Sequence, residues 1–166
     1  MRDLLKYGFM FIVLSLVQVL IFNQVHLGGS INPFIYILFV LLLPINTPRY
    51  ILLLTGFILG LVIDIFSNSL GMHAAATVFI AYLRPFVIRI ISNREEDRNN
   101  YPGLKQNSFS WFLAYALIMV FLHHLVFFFL EFFTFTHFMS TLLKVILSSL
   151  FSVFIIIVSQ YLIFRE

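Results

Sequence analysis

Among the ionisable side chains within or beside long apolar runs of this chain, Asp64, His73, His123, His124, Glu131 and Lys144 stand out. A charge inside an apolar segment is costly, so each is a candidate functional group by default. Asp64 follows Gly60, which follows Gly56, at a constant spacing of four. That spacing sets two glycines and a carboxylate on one stripe of a helix. Small residues admit a second helix at close range, and the carboxylate must then be paired, protonated or near the outer interface. The plainer use is to cap the next helix or bond the short 67–73 connection; the sharper one is a partner or ligand site. His73 follows Gly71 in the same connection and reads as a hydrogen-bonding or capping group, with a ligand or proton role as the alternative.

His123 and His124 are adjacent, with Glu131 seven residues beyond the second. That suggests a metal or proton path, yet neighbouring helical residues point about 100° apart and cannot easily hold one ion together. Polar packing inside a bundle is the favoured reading. Lys144, Ser148 and Ser152 repeat at four with Thr141 and Ser159 close to the same face. They form an interior stripe, and Lys144 is placed to pair with Glu131 or Asp64, or to snorkel outward. No nucleophile elbow, phosphate loop or metal motif is present, and cysteine is absent. The reading is therefore of a protein that is not an enzyme and carries no cofactor or metal.

The elements that position these groups follow from composition. The 166 residues are 61% hydrophobic and 10% charged, with 22 phenylalanines. Soluble domains average about 45–50% apolar and about 25% charged. A water-soluble enzyme, a disordered chain and a nucleic-acid-binding domain are excluded, despite a pI near 9.4. What remains is an all-α polytopic membrane protein. Apolar runs predict six spans at 7–25, 33–47, 49–67, 72–91, 109–132 and 139–163, in a single transmembrane domain over 1–166. The first resembles a signal peptide but lacks a small-x-small cleavage site, so a retained helix is expected. The second is bracketed by Pro33 and Pro44 and should be short, tilted or broken near Pro44.

Nine of the ten Lys and Arg residues fall on alternate connections of one side: Arg2, Lys6, Arg49, Arg84, Arg89, Arg94, Arg98, Lys105 and Arg165. Only Lys144 falls on the other. That asymmetry predicts a six-helix bundle with both termini cytoplasmic. The 92–108 connector, with Glu95, Glu96 and Asp97 balancing its basic residues, reads as a solvated loop or a docking surface.

Gly60-Leu-Val-Ile-Asp64-Ile-Phe66-Ser67, followed by Leu70-Gly71-Met72-His73-Ala74, resembles the signature region of the rod shape-determining protein MreD family. The length and the proline-marked second span are similar too. The resemblance implies a non-enzymatic inner-membrane subunit of the bacterial cell-wall elongation machinery. Its expected partners are MreC, a single-span protein, the RodA glycosyltransferase and penicillin-binding transpeptidase directly or through MreC, and the actin-like MreB, all at the lipid bilayer, with no nucleic acid. On the matching positions it implies that Gly60, Asp64, Phe66, Ser67, Gly71 and His73, with Gly56 behind them, shape a partner-receiving turn. The family also looks like the substrate-capturing S-components of vitamin transporters, the alternative function. Helix 1 has no alanine in Leu14–Leu20, where such components usually carry an alanine-based docking motif.

Overall fold

The computed structural model describes residues 2–24, 31–92, 101–132 and 138–163. Helix α1 spans Arg2–Leu20 and is followed by a single 3-10 turn, Phe22–Gln24. Then come α2 (Ile37–Leu42), α3 (Arg49–Ser67), α4 (Met72–Ile91), α5 (Phe109–Phe132) and α6 (Phe138–Ile163). The fold is all-helical. Among the described residues, five helices are long and apolar enough to cross a membrane; α2 is not one of them. Arg94, Glu95, Glu96, Asp97, Arg98 and Arg165 of the charge pattern lie outside the described residues.

The second expected span is where structure and sequence differ most. Of 33–47, only the six residues Ile37–Leu42 are α-helical. Pro33 and Pro44 bring no N–H, and the residue before a proline is pushed out of the helical region. Leu43 accordingly ends α2 with ψ at 147°. The stretch is nevertheless central: every residue from Pro33 to Leu41 is buried. Non-helical backbone is tolerated at such depth only when protein encloses it and satisfies its polar groups.

Around this stretch α3 packs on α4, α4 on α5 and α5 on α6, while α1 leans on α3. Helix α2 touches α1, α4 and α5. The outward faces remain apolar, as in Phe9, Ile12, Leu54, Phe154 and Leu162. The described part of the 92–108 connector is not fully solvated. Pro102 and Gly103 are buried, and Gly103 lies against Gln160 and Leu42.

Candidate functional site

Helices α3 and α4 meet through the glycine stripe. A Cβ on Gly60 would stand 2.6 Å from the Ala74 nitrogen and 2.7 Å from the His73 oxygen, inside the backbone of α4. A Cβ on Gly56 would meet Ala81 Cβ at 3.2 Å and the Thr77 oxygen at 3.4 Å, a snug but weaker demand. This approach delivers Asp64 to the first turn of α4. Asn68 ends α3 in the left-handed region at φ 53°, and Gly71 starts α4 at φ 86°, where only glycine is at ease.

Asp64 is buried, and every acceptor it offers is used. Oδ2 accepts the Ala74 N–H at 2.8 Å. Oδ1 accepts the His73 N–H at 3.0 Å, the Ser69 hydroxyl at 2.7 Å and His73 Nδ1 at 3.0 Å. Two of these are first-turn amides that a helix cannot satisfy from within, and a carboxylate there also complements the helix dipole. The plainer reading of Asp64, a cap, is the one the geometry supplies. The ring tautomer follows from the same bonds. Ser69 spends its proton on Asp64, so towards His73 Nδ1, 2.8 Å away, its oxygen can only accept. Nδ1 therefore carries the ring hydrogen, and Nε2 of a neutral ring is an acceptor.

Beside this turn opens a cavity of about 430 Å³. Ser69 and His73 lie on its wall together with Asn23, Asn32, Phe34, Phe127 and Glu131, and Phe66 and Ser67 border it. Ser67 is held by Asn23, whose Nδ2 donates at 2.7 Å, and Asn23 Oδ1 accepts from Gln18 at 2.9 Å. Phe34 forms an aromatic floor with His73, His124 and Phe127, at ring separations of 5.2, 4.9 and 4.8 Å. Lys144 reaches Glu131 Oε2 at 3.5 Å and lies over the Phe128 and Phe132 rings at 4.7 and 4.9 Å. Of the two expected pairings for Lys144, Glu131 is the one found. Asp64 does not join it.

Several other polar groups of the helices serve the irregular stretch. His123 meets the Tyr36 hydroxyl at 2.7 Å, with Thr77 at 3.5 Å. His124 turns elsewhere, to the Asn32 carbonyl at 3.4 Å and to Ser152 at 3.2 Å. Ser148 and Ser152 accept the N–H groups of Asn32 and Phe34 at 3.1 and 3.0 Å. Gln18 accepts the Ile35 N–H at 2.8 Å and donates to the Pro33 carbonyl at 3.1 Å. At the far end Arg84 donates to the carbonyls of Leu43 and Pro44 and to the Tyr115 hydroxyl. Tyr115 in turn donates to the Leu41 carbonyl at 3.2 Å.

Arg84 corrects the sequence reading. It is 1% exposed and sits inside the bundle, so it is not a loop charge that orients the chain. The signal was its position, seven residues before the end of an apolar run. Gln18, Tyr36 and Tyr115 also escaped sequence reasoning, because polar side chains of ordinary type at single positions carry no periodic signal. Among the described residues no group of three His, Cys, Asp or Glu could hold a metal.

Fold and site together define an α-helical protein whose apolar helices suit a multi-pass membrane chain. Comparison with protein-family models, with curated proteins and with solved structures finds no match.

Proposed function

We propose that this chain is an MreD-like, non-enzymatic membrane subunit that binds an MreC-like single-span protein and helps position cell-wall synthesis enzymes. In this reading it sits in the bacterial inner membrane, crosses six times and keeps both termini in the cytoplasm. The second crossing is made by the buried 31–44 stretch rather than by a full helix.

The observation that carries the reading is the form of the 60–74 turn. Its polar groups close on one another through Asp64, while Phe66 and Leu70 are left 67% and 99% exposed. Phe66 also ends an apolar groove of about 290 Å³ between α1 and α3, lined by Ile12, Leu16, Val19 and Val62. Ser15 faces the same groove with its buried hydroxyl oxygen lacking a partner among the described residues. An apolar helix lying along this face would seat side chains in the groove and offer the Ser15 hydroxyl a partner, a polar contact of the kind that favours helix association in lipid.

Co-expression with an MreC-like partner from the same cell tests this. The wild-type chain should retain the partner through detergent purification. Val62→Trp, which fills the groove, should release it, whereas Met139→Trp on an exposed position of α6 should not. A wild-type chain that never retains the partner would sink the reading.

A further inference from the structure

We propose that the groove between α1 and α6 holds an anionic phospholipid, with one acyl chain along the helices and the headgroup at Lys6. The site lies on the face of α1 opposite the partner groove and does not depend on the partner-binding reading. Helix α1 packs on α3 and α6 packs on α5, and a lateral groove of about 390 Å³ is left between α1 and α6. Phe9, Met10, Val13, Leu14, Val17 and Ile21 line it at helical spacings of three and four along α1. Ile35 and Leu38 of the buried stretch, with Ile155 and Ser159 of α6, face them. Phe9 and Ile21 are 72% and 52% exposed, so the groove opens sideways, towards lipid. Lys6 and Ile21 are fifteen residues apart, about 22 Å of helix. That exceeds the half of an about 30 Å hydrocarbon core that one leaflet fills.

The lining decides the occupant. Helices associate in lipid through small residues and interhelical hydrogen bonds, and this groove offers neither. Among the described residues no glycine or alanine lines it, and its one hydroxyl, on Ser159, donates to the Ile155 carbonyl at 2.8 Å. The partner groove differs here, since its Ser15 hydroxyl is unmet. A flexible acyl chain needs no polar contact and fills a narrow apolar slot by dispersion. Lys6 is the one charged residue of the lining, exposed at the end of the groove. Its ammonium lies 5.8 Å from the Tyr7 and Tyr101 rings and forms no ion pair among the described residues. Basic pockets between membrane helices take anionic headgroups. A cation at the mouth and hydrocarbon along the length match the two halves of an anionic lipid.

Phosphatidylglycerol and phosphatidylcholine with the same acyl chains are titrated onto the full chain in mild detergent, and bound lipid is counted by native mass spectrometry. Phosphatidylglycerol should saturate at one molecule per chain. It should bind about fivefold more tightly than phosphatidylcholine, as one lysine at a membrane surface implies. Lys6→Gln, at an exposed position, should erase that preference and leave phosphatidylcholine binding unchanged. Arg49→Gln removes an exposed cation from α3 instead, and should keep the preference. Val13→Trp fills the groove and should remove both lipids, while keeping the MreC-like partner that Val62→Trp releases. The lipid titrations need no partner, so their failure and that of the partner reading are distinct. If Val13→Trp fails to fold, the comparison of Lys6→Gln with Arg49→Gln decides. No saturable lipid, equal affinity for the two lipids, a preference that survives Lys6→Gln or falls equally with Arg49→Gln, or lipid binding indifferent to Val13→Trp overturns the proposal. So does loss of the partner with lipid binding intact in Val13→Trp, which would seat a protein helix in the groove.

Discussion

A carboxylate within an apolar helix is tolerated only if something replaces its water, and Asp64 replaces it with four donors from one short turn. Asp64→Ala orphans the first-turn amides of α4 together with Ser69 and His73. It should lower unfolding free energy by about 3 kcal/mol, given that bonds to charged groups are worth about 1.5–3 kcal/mol each and never fully add. Asp64→Asn retains the Oδ1 acceptor and should cost about 1–2 kcal/mol, where an amide nitrogen faces the Ala74 N–H. SDS or thermal unfolding in micelles measures both, and an Ala variant as stable as the wild type would contradict the cap. The glycines rank by the same logic. Gly60→Ala drives a methyl into the α4 backbone and should cost about 3 kcal/mol, while Gly56→Ala should stay within about 1 kcal/mol. Comparable losses at the two positions would contradict the close approach. This stripe was legible in the sequence, because a spacing of four directly encodes a shared helix face. Arg84 was not: its partners are carbonyls some forty residues earlier, and no local pattern announces them.

At the scale of elements, the serine stripe of α6 and the broken second span explain each other. A run bracketed by prolines announces that a helix will fail, but not what will satisfy the backbone it frees. Ser148, Ser152, Gln18, His124, Arg84 and Tyr115 do so from four different helices, a convergence visible only once the helices are packed. Of these only His124 suggests a path or a metal in the sequence; the serines read as an interior stripe and Arg84 as a loop charge. Their bonds make them the lining that lets non-helical backbone lie in the interior. Ser152→Ala leaves the Phe34 N–H and one bond of His124 unmet, and should cost about 2 kcal/mol. Methionine to alanine at exposed Met139, on the same helix, should stay within about 0.5 kcal/mol. A double-mutant cycle of Arg84→Leu with Tyr115→Phe should show coupling of about 1 kcal/mol or more, since the two side chains bond each other at 2.9 Å. Additive losses would show that Arg84 and Tyr115 hold the stretch independently.

For the whole molecule, the distribution of charge survives the loss of Arg84 from the tally. Lys6, Arg49, Arg89 and Lys105 gather towards one end of the bundle, where Lys6 lies 5.8 Å over the Tyr101 ring and Arg49 5.7 Å over that of Phe86. Lys144 lies towards the other end, with Glu131 and the cavity. Basic ends of helices stay on the cytoplasmic side, so the proposed orientation puts the Asp64 turn outside and the 101–108 turn inside. The absence of cysteine makes this directly testable, because any thiol introduced is the sole thiol in the chain. Asn68→Cys and Gln106→Cys place it on exposed residues at the two ends. With a membrane-impermeant maleimide, intact spheroplasts should label Asn68→Cys and leave Gln106→Cys unmodified, and inverted vesicles should give the reverse. Opposite labelling would invert the chain in the membrane and place the cavity on the cytoplasmic face. Labelling of both positions from one side would mean that α4, the one helix between them, does not cross, and would contradict the proposed topology.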